Sequence, residues 1–599
     1  MVKSTARFRG RREGTRYSYD GNGDLSSVTT PLSHVTSFGY NGLGVKTSRT
    51  DAMGRTTSYT QDNWERPVQI NYPDGSVYTY GYDADSNLTG FSDPTGTTTR
   101  TYDVDNRLTS ESKGTSTIKY TYDGTGQIGL LSSVTDQNGR TISYTYTARN
   151  ELYTVADSAG TTTYTRDPDG NITGETLPNN ATVTNTYDND DRLSTVTNDG
   201  PGGTVLSSFS YAYNSDSQRT GVTENGGSAV NYAYNALHRL TEETRTGASP
   251  YTESFSYDPA GNRTSMTLNG NPINYTYDND DELLSAGNNT YTYNANGDQI
   301  TRDLNGVTSN LSYNDDDQLV SITTGSNTTS FAYDAIGRRV ARDSGGTTTV
   351  FWYDGGSVIL ESQGGTFTGV YTYGASLIRR NGEYFQYDGS GSTRTITNSS
   401  GSQTASAIYD GYGNTVATSG STSSPYLFAA TSGYRNDNDD GLMLVGARYY
   451  DPAVGLFITR DTDLSQPAYQ YCNDDPVNKV DPSGHDWRVI VGGLVVATGA
   501  VALVMLASPE VGAVALGWAA FRGFAIGSGI VGAGEEIADW FPYLYWDYVQ
   551  ITYEQKHGMP WYAEEGYQKT IDQDMPSVGK QAAKAEQKIF EEGQKDAGE

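Results

Sequence analysis

The chain has 599 residues and carries 41 Lys+Arg against 71 Asp+Glu, a formal net charge of −30. A surface that acidic repels phosphate backbones and anionic membranes, which excludes nucleic-acid binding by the bulk of the chain. Aromatic residues make up 12%, with 47 tyrosines, too much apolar area for a disordered acidic coil. Cys472 is the only cysteine, so neither an intrachain disulfide nor a cysteine-based zinc site can form.

The chain opens on a basic stretch, MVKSTARFRGRREGTR, with no apolar run behind it, which does not read as a Sec signal peptide. From about residue 17 to residue 430, Tyr-Asp and Tyr-Asn pairs recur, many of them 20 residues apart; Tyr82-Asp83, Tyr102-Asp103, Tyr122-Asp123, Tyr313-Asn314, Tyr333-Asp334 and Tyr353-Asp354 are examples. The fullest units read FSYDPAGNRTSM (255–266) and FAYDAIGRRVAR (331–342). In F-x-Y both rings lie on one face of a strand, because side chains alternate. The Asp or Asn that follows bonds its own downstream N–H groups and starts a turn. A glycine three residues on supplies positive φ, and the next strand begins with Arg, Asn or Asp. Each unit is therefore about one β-hairpin, stable only when stacked on or paired with its neighbours. The spacing predicts one long antiparallel sheet, with the tyrosines of each pair packed inward.

Acidic runs interrupt the repeat at DNDDR (188–192), NDDD (314–317) and NDNDDG (436–441). The last sets Asn436, Asn438, Asp440 and Gly441 at calcium-loop offsets, but its twelfth position is Ala447, which offers no carboxylate. Turn formation accounts for all three runs, and no metal site is expected. His34 and His238 stand far apart without a partner motif, and no GxSxG, HExxH, P-loop or CxxC occurs.

Gly433 to Asp486 reads GYRNDNDDGLMLVGARYYDPAVGLFITRDTDLSQPAYQYCNDDPVNKVDPSGHD. The ordered series Gly446-Ala447-Arg448-Tyr449-Tyr450-Asp451-Pro452, Phe457, Asp461, Tyr469-x-Tyr471, Pro476 and Asp481-Pro482-Ser483-Gly484 resembles the core that closes the repeat region of Rhs/YD-repeat proteins. The resemblance implies that the sheet winds into a hollow shell or partial shell. It also implies an autoproteolytic site at the end of the core, with Asp461 and Asp481 as an acid–base pair and the cut beside Gly484, His485 and Asp486. Two close carboxylates suit that task, since one stays protonated while the other accepts a proton. This chain has His485 where relatives have Leu, and Gly455-Leu456-Phe457 where many have Gly-Arg-Phe. Arg448 and Arg460 are the candidates to replace the missing arginine. The plainer reading makes Asp461 and Asp481 turn-forming residues of a plug.

Composition changes at Trp487: six lysines lie beyond it and five before it. Residues 489–507 and 511–534 form two apolar runs split by Ser508-Pro509-Glu510, long enough for a membrane-crossing helical hairpin. Arg522 alone interrupts the second, and is the candidate to line a pore or pair with an acid. Glu535, Glu536 and Asp539 follow, then an amphipathic helix from Pro576. The hairpin either enters a membrane or lies buried inside the shell.

The expected fold is mainly β: a repeat shell over 1–430, a closing core over 431–485, and a variable region over 486–599 with a small α-helical segment. The family resemblance implies a secreted or cell-surface toxin-delivery protein that carries this last region as cargo. Expected partners are an upstream shell or secretion-system component, an immunity protein, and a membrane met through the hairpin. No cofactor and no nucleic acid are expected. The alternative is a cell-surface adhesin whose repeats bind carbohydrate and whose tail anchors it.

Overall fold

Forty antiparallel strands, from Arg16–Tyr19 to Thr415–Gly420, pair one after the next in chain order as a single meandering sheet. The computed structural model describes residues 14–123, 129–464 and 466–489. The apolar runs 489–507 and 511–534, with Arg522, Glu535, Glu536 and Asp539, lie outside the described residues apart from residue 489. Among the described residues the only helical turns are two short 3-10 segments, Ala430–Ser432 and Cys472–Asp474.

The period-2 pattern sets the two faces. In the strand Val77–Tyr82, Tyr78 and Tyr80 are buried while Val77 and Thr79 are exposed. The outward face carries hydroxyl ladders such as Thr145–Thr154 at 2.5 Å and Thr292–Thr301 at 2.6 Å, which tie neighbouring strands where no apolar packing is available.

The turn after most of the described Tyr-Asp pairs repeats one arrangement. Asp83 Oδ1 accepts the N–H groups of Asp85 at 3.0 Å and Asn87 at 2.8 Å, and Asp258 does the same for Ala260 and Asn262 at 2.8 and 2.9 Å. The ladder bulges at the tyrosine, as between Gly81 and Tyr82 or Ala332 and Tyr333. The bulge frees the tyrosine Oη to reach back across its hairpin to the carbonyl that opens the preceding strand. Tyr102 donates to Leu88 O at 2.9 Å, Tyr122 to Leu108 O at 2.8 Å, Tyr333 to Leu319 O at 2.8 Å and Tyr353 to Arg339 O at 2.7 Å. At several turns an arginine before the next strand pairs with the turn aspartate and also covers the tyrosine that ends the following hairpin. Arg66 bonds Asp62 at 2.8 Å and lies 4.6 Å over Tyr82, and Arg107 bonds Asp103 at 2.8 Å and lies 4.7 Å over Tyr122. Successive turns are thus linked by Tyr–carbonyl and Arg–Tyr contacts as well as by the strand ladder.

The sheet coils so that later turns sit against the opposite edge of earlier hairpins. Asp315 and Asp317 meet Arg55 at 2.9 and 3.3 Å, Tyr80 Oη donates to Ala335 O at 2.8 Å, Glu111 pairs with Arg338 at 2.8 Å, and Asp157 with Arg379 at 2.6 Å. Among the described residues it does not close into a barrel: the first strand pairs only with Leu25–Thr29 and the last only with Gln403–Tyr409. The acidic runs are absorbed here. Asn314 accepts turn N–H groups, Asp316 accepts the Tyr72 hydroxyl at 2.6 Å, and Asp437 and Asp439 pair with Arg339 and Arg342. His34 has a partner after all, Asp280 at 3.2 Å, and His238 fills the positive-φ position of its turn with φ 60°.

Residues 430–489 fold onto the inner face of the coil. A small four-stranded sheet, Arg435–Asp439, Leu442–Val445, Arg448–Asp451 and Leu456–Phe457, presents Tyr450, Phe457 and, from beyond it, Tyr471 to Phe255, Tyr275 and Tyr291 of the ribbon. Leu442, Tyr449 and Ile458 pack on Leu311, Ile322 and Phe331. Polar anchors complete the seat: Arg302 pairs with Asp451 at 2.8 Å and Arg435 with Glu361 at 2.6 Å.

Two measurements test this packing. Tyr333→Phe removes only the hydroxyl that bonds Leu319 O, so the urea midpoint should fall by the equivalent of about 1 kcal/mol. Asp474 is buried, and burial pushes its carboxyl up to about 7. In the unfolded chain it ionises near its ordinary value of 3.8, so between there and about 7 only the folded state holds the proton and stability falls as pH rises. Asp474→Asn should make that slope shallower, since Glu175, Asp354, Asp410 and Asp475 are pushed up in the same way, and should stabilise the protein at pH 8 by on the order of 2 kcal/mol. An unchanged pH–stability profile would contradict the assignment.

Candidate functional site

The closing segment ends in a narrow hairpin, Lys479–Val480 paired with Arg488–Val489. Its loop carries Asp481-Pro482-Ser483-Gly484-His485-Asp486. Two glycines let this loop touch the rest of the segment. Gly484 has φ +77°, and a Cβ there would sit 2.4 Å from Val445 O; a Cβ on Gly446 would sit 2.0 Å from Ser483 O. With both side chains absent, Ala447 N–H reaches Ser483 O at 2.9 Å, and the loop lies against the strand that bears Arg448.

Arg448 organises what meets there. It is buried, stacked on Phe457 with its guanidinium carbon 3.7 Å from the ring centre. Its Nε donates to Gly484 O and its Nη1 to Ala468 O at 3.2 Å. Its Nη2 lies 2.8 Å from Asp461 Oδ2 and 4.0 Å from Asp481 Oδ2. The two candidate carboxylates thus bracket one nitrogen of a single guanidinium. Asp461 is placed by its own N–H, which donates to Ala468 O at 2.8 Å. Asp481 accepts from Gly484 N–H at 2.8 Å and Ser483 Oγ at 3.1 Å, and its backbone is held by Tyr434 Oη. Burial pushes the Asp481 carboxyl up, against the pull of Arg448 and these two bonds. Burial also lowers the Arg448 guanidinium from its usual range, with Asp461 and Asp481 opposing.

His485 completes the cluster. Its Nδ1 lies 2.8 Å from Asp461 Oδ1, its backbone N–H donates to Ser483 Oγ at 3.1 Å, and Asp486 N–H donates to the same oxygen at 2.9 Å. Of the two arginines that could replace the absent one, Arg448 is present and Arg460 is not. Arg460 lies against the Gly297 turn, where its charge acts on Glu282 and Tyr469. Leu456, at the position of the family's arginine, is buried in the apolar core. Sequence reasoning missed the bond between His485 and Asp461; it read His485 as a missing Leu rather than as a donor 24 residues from its acceptor.

The arrangement can hold one protonated and one ionised carboxyl beside a restrained peptide loop, with a cation to balance the pair. Arg448→Met should leave Asp461 buried without its main counter-charge and cost about 3–5 kcal/mol in urea unfolding. Adding Asp461→Asn to that variant should recover a large part of the loss.

A family model described as teneurin YD-shell matches residues 7–100 and 207–477, more than half of the chain. The tRNA3(Ser)-specific nuclease WapA of Bacillus spizizenii is 28% identical over 314 residues, covering 49% of this chain and 11% of the relative. The tRNA nuclease WapA of Bacillus subtilis strain 168 is 27% identical over 314 residues with the same coverage. The crystal structure of TcdB2-TccC3 without its hypervariable C-terminal region superposes with a TM-score of 0.60 at 17% identity, over 78% of this chain and 30% of that one. A Tc holotoxin pore of Photorhabdus luminescens gives 0.58 at 16% identity, over 80% and 30%. The chain therefore spans about a tenth of the length of these curated relatives and under a third of the solved chains, and the structural likeness is one of fold. From the Tyr-Asp turns, the seated closing segment and the family match together, the chain belongs to the Rhs/YD-repeat proteins with a teneurin-type YD shell.

Proposed function

We propose that this chain is the shell-forming part of a toxin-delivery protein that encloses or presents the region from Asp486 onward and releases it by self-cleavage between His485 and Asp486. The observation that carries this reading is the convergence of Asp461, Asp481 and Arg448 on the Gly484 loop. That loop lies where the composition changes from tyrosine-rich repeat to apolar, lysine-bearing tail. The existence of a solved relative named for lacking a hypervariable C-terminal region favours the same division.

In the proposed step, water adds across the His485–Asp486 peptide bond. Asp461, ionised beside Arg448, takes a proton from the water as its oxygen bonds to the His485 carbonyl carbon. Asp481, held towards its protonated form by burial, gives its proton to the departing Asp486 nitrogen. The products are a carboxylate ending at His485 and an amine beginning at Asp486. Release into a target compartment implies secretion or display, an upstream shell or secretion partner, and an immunity protein for the producing cell.

Intact-mass analysis of the purified full-length chain tests the reading. Two fragments, ending at His485 and beginning at Asp486, are expected, and Asp461→Asn or Asp481→Asn should each slow their appearance by at least about a hundredfold. Cleavage at this bond that persists unchanged in both variants would sink the acid–base assignment.

A further inference from the structure

Only Oδ1 of Asp461 is hydrogen-bonded; Oδ2 is engaged by an ion pair alone. Oδ2 faces Arg448 Nη2 at 2.8 Å, while Oδ1 receives His485 Nδ1 at 2.8 Å and the backbone N–H of Asp463 at 2.9 Å. Its side chain is 1% exposed, so no solvent approach remains, whereas the His485 side chain is 20% exposed and is the one donor with somewhere to go. Arg448 is pinned by Phe457, Gly484 O and Ala468 O, and the Asp463 N–H belongs to the backbone. A carboxylate that has to accept a proton from water needs a free lone pair. Here the side chain of the residue just before the 485–486 peptide is bonded to Oδ1, the oxygen not paired with Arg448.

We infer that His485 is a positioning residue that restrains self-cleavage by holding Asp461 in a resting hydrogen bond, and that its departure frees the acid–base pair. This rests on the self-cleavage reading above. The charged and titratable groups around the imidazole are Asp461, which it bonds, Arg448 and Asp463 next to Asp461, and Asp481 of its own loop. A protonated imidazole makes a charge-assisted bond to Asp461, stronger than that of the neutral ring. The neutral ring can also shift its proton to Nε2 and leave no donor at Nδ1. The restraint is therefore stronger with a protonated ring than with a neutral one.

Full-length wild type, His485→Leu and His485→Gln are compared by intact mass over a range from about pH 5.5 to 8.5, bracketing the ordinary imidazole value near 6.5. His485→Leu should cleave about tenfold faster than wild type at the acid end, the size of one charge-assisted bond, with the gap closing towards the alkaline end. His485→Gln keeps a neutral donor and should cleave slowly without the wild-type rise. It also serves as the second variant should leucine disturb the loop. If wild type and both variants cleave at one rate at every pH, the restraint is overturned while self-cleavage stands. If none cleaves at any pH, self-cleavage itself fails and this inference with it. NMR of the chain's four histidines gives a readout independent of cleavage: the His485 ring signals should move when Asp461 is changed to Asn. Unmoved signals overturn the contact.

Discussion

The turn that follows each Tyr-Asp pair is the constraint on which the rest of the molecule depends. The forty-stranded meander has no barrel closure among the described residues to fix its curvature, and single hairpins built of strands this short are weak by themselves. The aspartate closes the turn, the bulge redirects the tyrosine, and the tyrosine hydroxyl clamps the start of the preceding strand, as Tyr102 does at Leu88 O. Because the tyrosine bulges all fall at one edge, their added local twist accumulates in one sense and the ribbon coils. The inner face thus created is lined with aromatic rings, and the closing segment supplies the rings that fill it.

Charge is managed by the same design. The chain has a large excess of acid, yet its interior contacts are dominated by arginine–carboxylate pairs: Arg338 with Glu111 and Asp334, Arg394 with Glu224 and Asp388, Arg435 with Glu361 and Asp437. Before the tail only five lysines occur. A guanidinium bridges two carboxylates and lies flat on an aromatic ring, which an ammonium on a flexible stem does less well. Arg338 shows the economy, since it holds its own turn aspartate, a glutamate from an earlier hairpin and the face of Tyr353.

The candidate site reuses this grammar at the end of the chain. Arg448 on Phe457 is a turn arginine on its ring, moved to the closing segment and given two carboxylates in place of one. What distinguishes it is the pair of glycines that brings a loop within 3 Å of the strand bearing that arginine. A structural ion pair thereby comes to lie on a peptide bond.

The sequence by itself determined the architecture, because the period of the repeat is a local property. Alternation over six residues sets the faces, Asp and Gly at fixed offsets set the turns, and neither depends on distant parts of the chain. Asp461 and Asp481 stand out along the chain only through the resemblance of its closing motifs to the family's core. What only the tertiary structure decided is which distant side chains meet. Arg448 and Arg460 are equivalent on paper, but the strand Arg448–Asp451 points the first at Gly484 while the second is turned towards Gly297. The arginine of FAYDAIGRRVAR was visible as a letter, yet its partner Glu111 lies 227 residues away, in reach only once the ribbon has coiled. His485 and Asp461 are the sharpest case. A histidine in a leucine's place reads as a loss along the chain, and becomes a bond because the Gly446 and Gly484 turns fold the loop back onto its own acid.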